Sequence, residues 1–435
     1  MITSMLVAGL LALSTDSASA QTKTFRPVLQ APQAFIFKPH GVTPQTVRRA
    51  SVKLHRRGRV VERRVNVRRV RQALRNGLRI RIRKPRSAHA ARLIIHAHPW
   101  GPCGSGTFSS LTPPSTCWRP YSDASPFNRT VPASPPLVAD SSSVVSRLAA
   151  FGPPQKLTGG DADTGGDWNH PIYFSQPSDP TYTVHCTQQW GTCEVEDMQV
   201  RIPAQARPAG GGDAHLGVID QQSGWEYDFW QVQQKPSGGG TLLVSWGGRT
   251  RIDGDGLGSN ATAAHFGLAA GVIRPSELAA GSINHALFMV VKCSNGTAVW
   301  PAESGTGTSC SSIGLPNTNA PAMGQHFYLD MTDAEINALI EPAWEKTILR
   351  AIAHYGMFVG DTGGSSWNIQ FESGSSYTSF GNQDPWTRLG QQYGVTTWDG
   401  AADGKRRYVF DLQNVVNWGA ELKVADPCVA QAACG

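Results

Sequence analysis

The sequence predicts a mainly β protein in two parts: a small N-terminal β-sandwich-like module, then a larger jelly-roll or concanavalin-like β-sandwich with one packed helix. Three observations predict it. Apolar residues recur with period two in many short runs bounded by turn residues. Glycine (46) and proline (29) are abundant while hydrophobic residues hold at 40%, the balance of a turn-rich globular chain. Only one stretch, 332–355, carries apolar side chains at sustained helical spacing. Charge then separates the parts. Residues 21–100 hold 21 Lys/Arg against one acid, Glu62, whereas residues 101–435 hold 18 against 30 acids. Pieces of opposite sign meet different partners.

Residues 1–20 read as a secretory signal, with an apolar run at 6–13 and the A-x-A site Ala18-Ser19-Ala20 before Gln21. The usual basic start is missing. That run is too short to span a bilayer and no later run does so, so a secreted, extracellular protein without a transmembrane segment is expected. The eight cysteines fall into near neighbours, Cys103/Cys117, Cys186/Cys193, Cys293/Cys310 and Cys428/Cys434. Four local disulfides are the simplest pairing in an oxidising compartment.

Residues 22–98 read as a basic, Ig-like β module. Its strands are AFIFKP, ASVKLHRRGRVVERRVNV, LRIRIRK and ARLIIHAH, with a helical turn across 70–74. In LRIRIR, Leu78, Ile80 and Ile82 point inward and the arginines outward. Aromatic residues do not interleave with the arginines, so nucleic acid is not the expected partner. An anionic cell-envelope surface fits the charge better. Residues 99–120 form a Gly/Pro/Ser linker.

Residues 121–435 read as the acidic β-sandwich. Strands are expected at 170–175, 181–186, 198–203, 241–246 and 285–291, a glycine-rich loop at 247–264, and short helices at 141–151 and from Pro275. In the long helical stretch, Thr332 and Glu335 form a capping box, and Ile336, Ile340, Trp344, Ile348 and Ile352 form the packing stripe. Pro342 splits it and Gly356 stops it. MFVGDTGGSSWNIQFE then reads as two strands about a Gly-Gly turn.

The richest chemistry lies in the hairpin at 211–232, GGDAHLGVIDQQSGWEYDFWQV. Leu216, Val218, Tyr227 and Phe229 share one face. His215, Glu226, Asp228 and Trp230 share the other, with a gap at Gly217 and Asp213 at the mouth. Two carboxylates spaced across a glycosidic bond would serve a hydrolase, and a histidine base would serve a lyase. Asp213, His215, Glu226 and Asp228 are therefore candidate catalytic residues, with His285 a weaker one set in the apolar run INHALFMVV. Trp230 and Trp367, as sugar-stacking rings, join Asp361 and His170 as candidate substrate-binding residues. No strong metal spacing exists, although Asp213, His215 and His285 would suit a transition metal if they converged. No cofactor is expected. Asp253-Gly-Asp255-Gly is similar to part of a calcium loop that no glutamate closes, leaving calcium as a candidate structural ion.

Three segments, DAHLGVID…YDFW, AAHFGLAAGVIRPSELAAGSINHAL with AVWPAES and PAMGQHFYL, and ILRAIAHYGMFVGDTGGSSWNI, together resemble a widespread group of secreted bacterial proteins of uncharacterised function. The likeness covers roughly residues 118–380 and leaves out the basic module. It implies a single-domain β-sandwich similar to carbohydrate-active jelly rolls, and it assigns no catalytic roles. One departure is Gly360-Asp361-Thr362-Gly363-Gly364, where an Ala-Asp-Asn-Gly-Ser type of turn is expected. The expectation is a secreted carbohydrate-active enzyme, glycoside hydrolase or polysaccharide lyase, acting on a polysaccharide. The alternative is a non-catalytic lectin-like or envelope-binding protein.

Overall fold

The computed structural model describes residues 21–31, 33–38, 47–56, 59–75, 79–85, 87–97, 109, 118–258, 260–399 and 406–434. The expected signal segment, Leu78, the pair Cys103/Cys117 and most of the linker lie outside them. Strand accounts for 32% and helix for 19%, so the protein is mainly β. The chain divides into two compact units, residues 1–106 and 107–435.

The first unit contains β1 (Gln21–Phe25), β2 (Leu29–Ala31), β3 (Ala34–Phe37), β4 (Val47–Arg56), β5 (Arg59–Val65), α1 (Val67–Arg75), β6 (Ile80–Arg83) and β7 (Ala88–Ala97). Two antiparallel sheets, ordered β1-β7-β4-β5 and β2-β3-β6, share one core with α1. That core includes Phe35, Phe37, Val52, Leu54, Val70, Ile80, Leu93 and Ile95. In β6, Ile80 is buried and Arg81 and Arg83 are exposed, as alternation demands. Arginine excess therefore lies outside the core.

The second unit opens with α2 (Ser141–Ala150) and β8 (Leu157–Gly159). There follow β9 (Ile172–Ser175), β10 (Thr181–Cys186), β11 (Gln199–Arg201), β12 (Leu216–Asp220), β13 (Trp225–Gln234) and β14 (Gly240–Arg251). These six form one mixed sheet, ordered β11-β10-β14-β13-β12-β9. After α3 (Pro275–Ala280) come β15 (Leu287–Val291), β16 (His326–Leu329), α4 (Asp333–Ala338), α5 (Ala343–Tyr355), β17 (Met357–Thr362) and β18 (Trp367–Ile369). The chain ends with α6 (Ser375–Thr378), α7 (Pro385–Tyr393), β19 (Thr396–Trp398), β20 (Arg407–Phe410), α8 (Trp418–Glu421), β21 (Leu422–Ala425) and α9 (Pro427–Gln431). A five-stranded sheet runs β18-β15-β17-β16-β21, and a small one runs β19-β20-β8.

Two expectations need correction here. Beyond the expected helices, now α2, α3 and the split pair α4 and α5, the unit has four more, α6 to α9, most of them short and set by caps instead of a long stripe. Asp384 accepts from the Trp386 amide at 2.9 Å ahead of α7, and Asp426 from the Cys428 amide at 2.9 Å ahead of α9; each is followed by proline at the first helical position. The glycine-rich loop also starts later than expected, since β14 continues to Arg251. Gly247 lies within that strand, and the position takes glycine because a β-carbon would come within 2.8 Å of Val195 and 3.0 Å of the Asp228 carbonyl.

Pro342 does break the helical stretch and caps α5. Ile336, Trp344, Ile348 and Ile352 are buried, but Ile340 sits in the break, fully exposed at 100%. The capping box forms: Thr332 Oγ1 accepts from the Glu335 amide at 3.3 Å, and Glu335 accepts from the Thr332 amide at 2.7 Å. Thr332→Ala is expected to cost about 1 kcal/mol, and Ile340→Lys within about 0.5 kcal/mol of nothing. Urea melts of the two variants check both. Disulfides join Cys186–Cys193, Cys293–Cys310 and Cys428–Cys434. No helix among the described residues is long and apolar enough to cross a membrane.

Candidate active site

β12 and β13 pair antiparallel, with Gly217 opposite Asp228 and Ile219 opposite Glu226. Leu216, Val218, Tyr227 and Phe229 face a core shared with Tyr173, Tyr182, Val184, Leu242 and Val244. The opposite face is not open, contrary to its polar character. The segment 266–270 lies over it and buries Glu226 and Asp228 completely. Glu226 Oε2 accepts from the Tyr121 hydroxyl at 2.7 Å and Oε1 from the Ala269 amide at 2.8 Å. Asp228 Oδ2 accepts from the Leu268 amide at 3.1 Å. Burial raises both carboxyls, that of Asp228 further through the neighbouring Glu226 charge. They are ties between the hairpin and this segment, out of a substrate's reach. The supposed gap at Gly217 is filled as well: a β-carbon there would meet Ile172 at 2.9 Å, the Pro171 carbonyl at 3.2 Å and Leu268 at 3.3 Å.

The tied segment positions the site beside it. The Leu268 carbonyl accepts from His170 Nδ1 at 3.0 Å. That fixes the proton on Nδ1 and leaves Nε2 an acceptor. The His170 ring stands edge-on to His215 at 4.8 Å and to Phe288 of β15 at 5.2 Å. Both histidines are buried. Burial lowers His170 to about 3, with His215 adding to the shift, and burial lowers His215 to about 4. The two imidazoles are therefore neutral at ordinary pH. Neither nitrogen of His215 has a hydrogen-bond partner among the described residues.

Asp213 and Asp361 complete the group. Asp361 is the penultimate residue of β17, where its Oδ1 accepts from the Thr362 amide at 2.7 Å and Oδ2 from the Ala263 amide at 3.4 Å. Burial, with Asp213 nearby, raises it to about 7 despite these bonds. Asp213 is half-buried, its charge acts on both His170 and Asp361, and its Oδ1 accepts from Trp230 Nε1 at 3.1 Å. Positive φ angles at Ala214 (37°) and Gln231 (51°) turn the hairpin end so that this contact forms. Gln231 donates its amide to the Asp213 carbonyl at 2.8 Å there. Five expected residues are thus drawn together: His170 and His215 by ring contact, Asp213 and Trp230 by a hydrogen bond, and Asp361 through the nearby Asp213 charge.

Trp230 also belongs to an aromatic group. Trp190 lies 5.3 Å from Trp230 and 5.9 Å from Trp246, tilted 39° and 37° to them, and is 62% exposed. Trp168, exposed too, lies over Gly211 and Gly212, where a β-carbon would approach its ring to 3.1 Å and 3.4 Å. The sequence reading missed Trp190 and Trp168. The available signal was a lone aromatic ring in the polar loop TQQWGT between paired cysteines.

Two expected site residues lie elsewhere. His285 has Ala286 O 2.8 Å from Nδ1 and Glu277 Oε1 3.1 Å from Nε2. Glu277 also pairs with Arg274 at 2.6 Å. Burial would raise Glu277, but Arg274 and His285 hold it at about 2, so this is a buried ion cluster. Trp367 is 2% exposed and packs edge-on against Trp418 at 5.2 Å; it is a core ring, since β18 buries it. With His285 engaged by Glu277, the Asp213/His215/His285 metal set does not assemble. Among the described residues no group of three or more His, Cys, Asp or Glu is arranged to hold a metal ion. Asp253 pairs with Arg251 at 3.0 Å, and Asp255 Oδ1 accepts from the Leu257 amide at 3.2 Å.

Compared with protein-family models, curated proteins and solved structures, the chain matches none of them.

Proposed function

We propose that the acidic unit is a carbohydrate-active hydrolase that cleaves a polysaccharide at Asp213 and Asp361. The observation that carries this reading is that Trp230 touches both the carboxyl pair, through Asp213, and the exposed aromatic group, through Trp190. Saccharides need both: rings against their CH faces and two carboxyls of unlike protonation at the glycosidic bond. Asp361, raised to about 7, keeps its proton near neutral pH and donates it to the leaving oxygen as the C–O bond breaks. Asp213, at the mouth of the hairpin, takes a proton from the attacking water. The neutral histidines add no positive charge beneath them.

The same reading takes the six- and five-stranded sheets as two layers of a jelly-roll sandwich, which the contact of His170 with Phe288 supports. It takes the protein as exported, in keeping with its three disulfides. The basic unit would tether it to an anionic cell-envelope surface. The experiment is incubation with a panel of soluble polysaccharides, following new reducing ends and the ultraviolet absorbance of unsaturated products. Reducing ends without absorbance support hydrolysis; absorbance would instead make His215 the base of a lyase. A second reading, glycan binding without cleavage, is favoured by the contrast between exposed Trp190 and the buried histidines. It predicts saturable binding and no product.

A further inference from the structure

We propose that the loop closed by Cys186 and Cys193 is a glycan subsite, in which Trp190 is the residue that stacks on a neutral pyranose ring. It rests on the reading of the acidic unit as carbohydrate-active. A large aromatic ring left 62% exposed forgoes much of its burial energy, and here it is nonetheless held in place. Its loop is bonded to β14 through the Thr187 amide to Val244 O at 2.8 Å and the Gln188 amide to Ser245 O at 3.1 Å. Gln233 of β13 donates to Thr187 Oγ1 at 2.9 Å. The Cys186–Cys193 disulfide closes the loop at a separation of 7 residues. The loop that carries the ring is thus held before any ligand arrives, which lowers the entropy cost of binding.

The chemistry around the ring selects the ligand. A pyranose offers an apolar CH face and a rim of hydroxyls. Trp190 with Trp230 and Trp246 supplies the apolar floor, and exposed Gln188 and Gln189 supply amides that both donate and accept, while Gln233, its Nε2 engaged by Thr187 and Ser245, offers its carbonyl oxygen as an acceptor. Cations nearby are already engaged: Arg249 pairs with Glu194 at 3.0 Å and lies 4.4 Å from the Trp225 ring centre. Asp213 adjoins Trp230 and residues 101–435 carry an acid excess, so a polyanion is disfavoured. The ligand class is a neutral glycan, and the contact with Trp230 makes this subsite continuous with Asp213.

Calorimetric titration of the full chain with neutral hexasaccharides (β-1,4-glucan, β-1,4-xylan, α-1,4-glucan and chitin oligomers) tests it. At least one is expected to bind, with affinity falling about tenfold or more in Trp190→Ala and largely kept in Trp190→Phe. A Cys186→Ser/Cys193→Ser double variant, still folded by its melting curve, is expected to lose affinity to a similar extent. Wild-type-like binding by Trp190→Ala would overturn the proposal, as would binding of no neutral oligomer. Tighter binding of polygalacturonate at the same ring would overturn it too. Asp361→Asn separates the two readings. Binding that depends on Trp190 with no turnover in any form would sink the hydrolase and leave the subsite standing. Turnover with an unchanged KM in Trp190→Ala would do the reverse.

Discussion

Glu226→Ala is expected to destabilise the acidic unit by about 3 kcal/mol or more, because it strands two buried donors, the Tyr121 hydroxyl and the Ala269 amide. Asp228→Asn is expected to do the opposite above neutral pH. Burial raises the Asp228 carboxyl, so the folded protein keeps a proton that the unfolded chain releases. The contribution of such a group is fully present below the unfolded value, about 4, and is lost as pH rises toward the folded one. For one retained proton the loss is about 1.4 kcal/mol per pH unit. Asparagine can still accept from the Leu268 amide and donate to Glu226, and it does not titrate. The melting temperature of Asp228→Asn minus that of wild type should therefore grow from pH 5 to pH 9. A difference that is negative and independent of pH would mean that the pair is ionised in the folded protein. The histidines tilt the other way: His170 and His215 are lowered, so their contribution is present above about 6.5 and is lost as pH falls through the values near 4 and 3.

These ties also show what the sequence could and could not reveal. Alternation placed Leu216, Val218, Tyr227 and Phe229 on the core side, and the capping box and Pro342 located the break between α4 and α5, because period and backbone chemistry are local. The burial of Glu226 and Asp228 was not legible, since it depends on residues 268 and 269, some forty positions away in the chain. Polar residues on one strand face mimic a solvated or catalytic surface until the covering segment is known. A clue lay in Gly267, where a β-carbon would come within 2.3 Å of the Tyr121 hydroxyl and 2.9 Å of Glu226. His285 misled for the same reason: its partner Glu277 lies in the short helix from Pro275, eight positions away in the chain. Asp361 was noted as a turn residue, and its value as an acid appears only once its burial is known.

Asp361→Asn is expected to lower the turnover of a cleaved polysaccharide by roughly 100- to 10,000-fold, the range for loss of a general acid. In the wild type the rate should fall as pH rises through about 7, as the raised carboxyl gives up its proton. That alkaline limb should disappear from the residual activity of Asp361→Asn and persist in Asp213→Asn, which removes the other partner. Stability supplies an independent sign. A carboxyl raised to about 7 contributes less as pH rises from the unfolded value, about 4, through 7. Asp361→Asn should therefore melt at or above the wild-type temperature at pH 8 while being the slower enzyme. A residue that merely caps the turn after β17 predicts the reverse, a variant less stable at every pH with activity falling only in step with the folded fraction. Should His215→Ala abolish activity while Asp361→Asn retains it, and the products absorb in the ultraviolet, the acid–base roles would pass to the histidine. The chemistry would then be elimination, not hydrolysis.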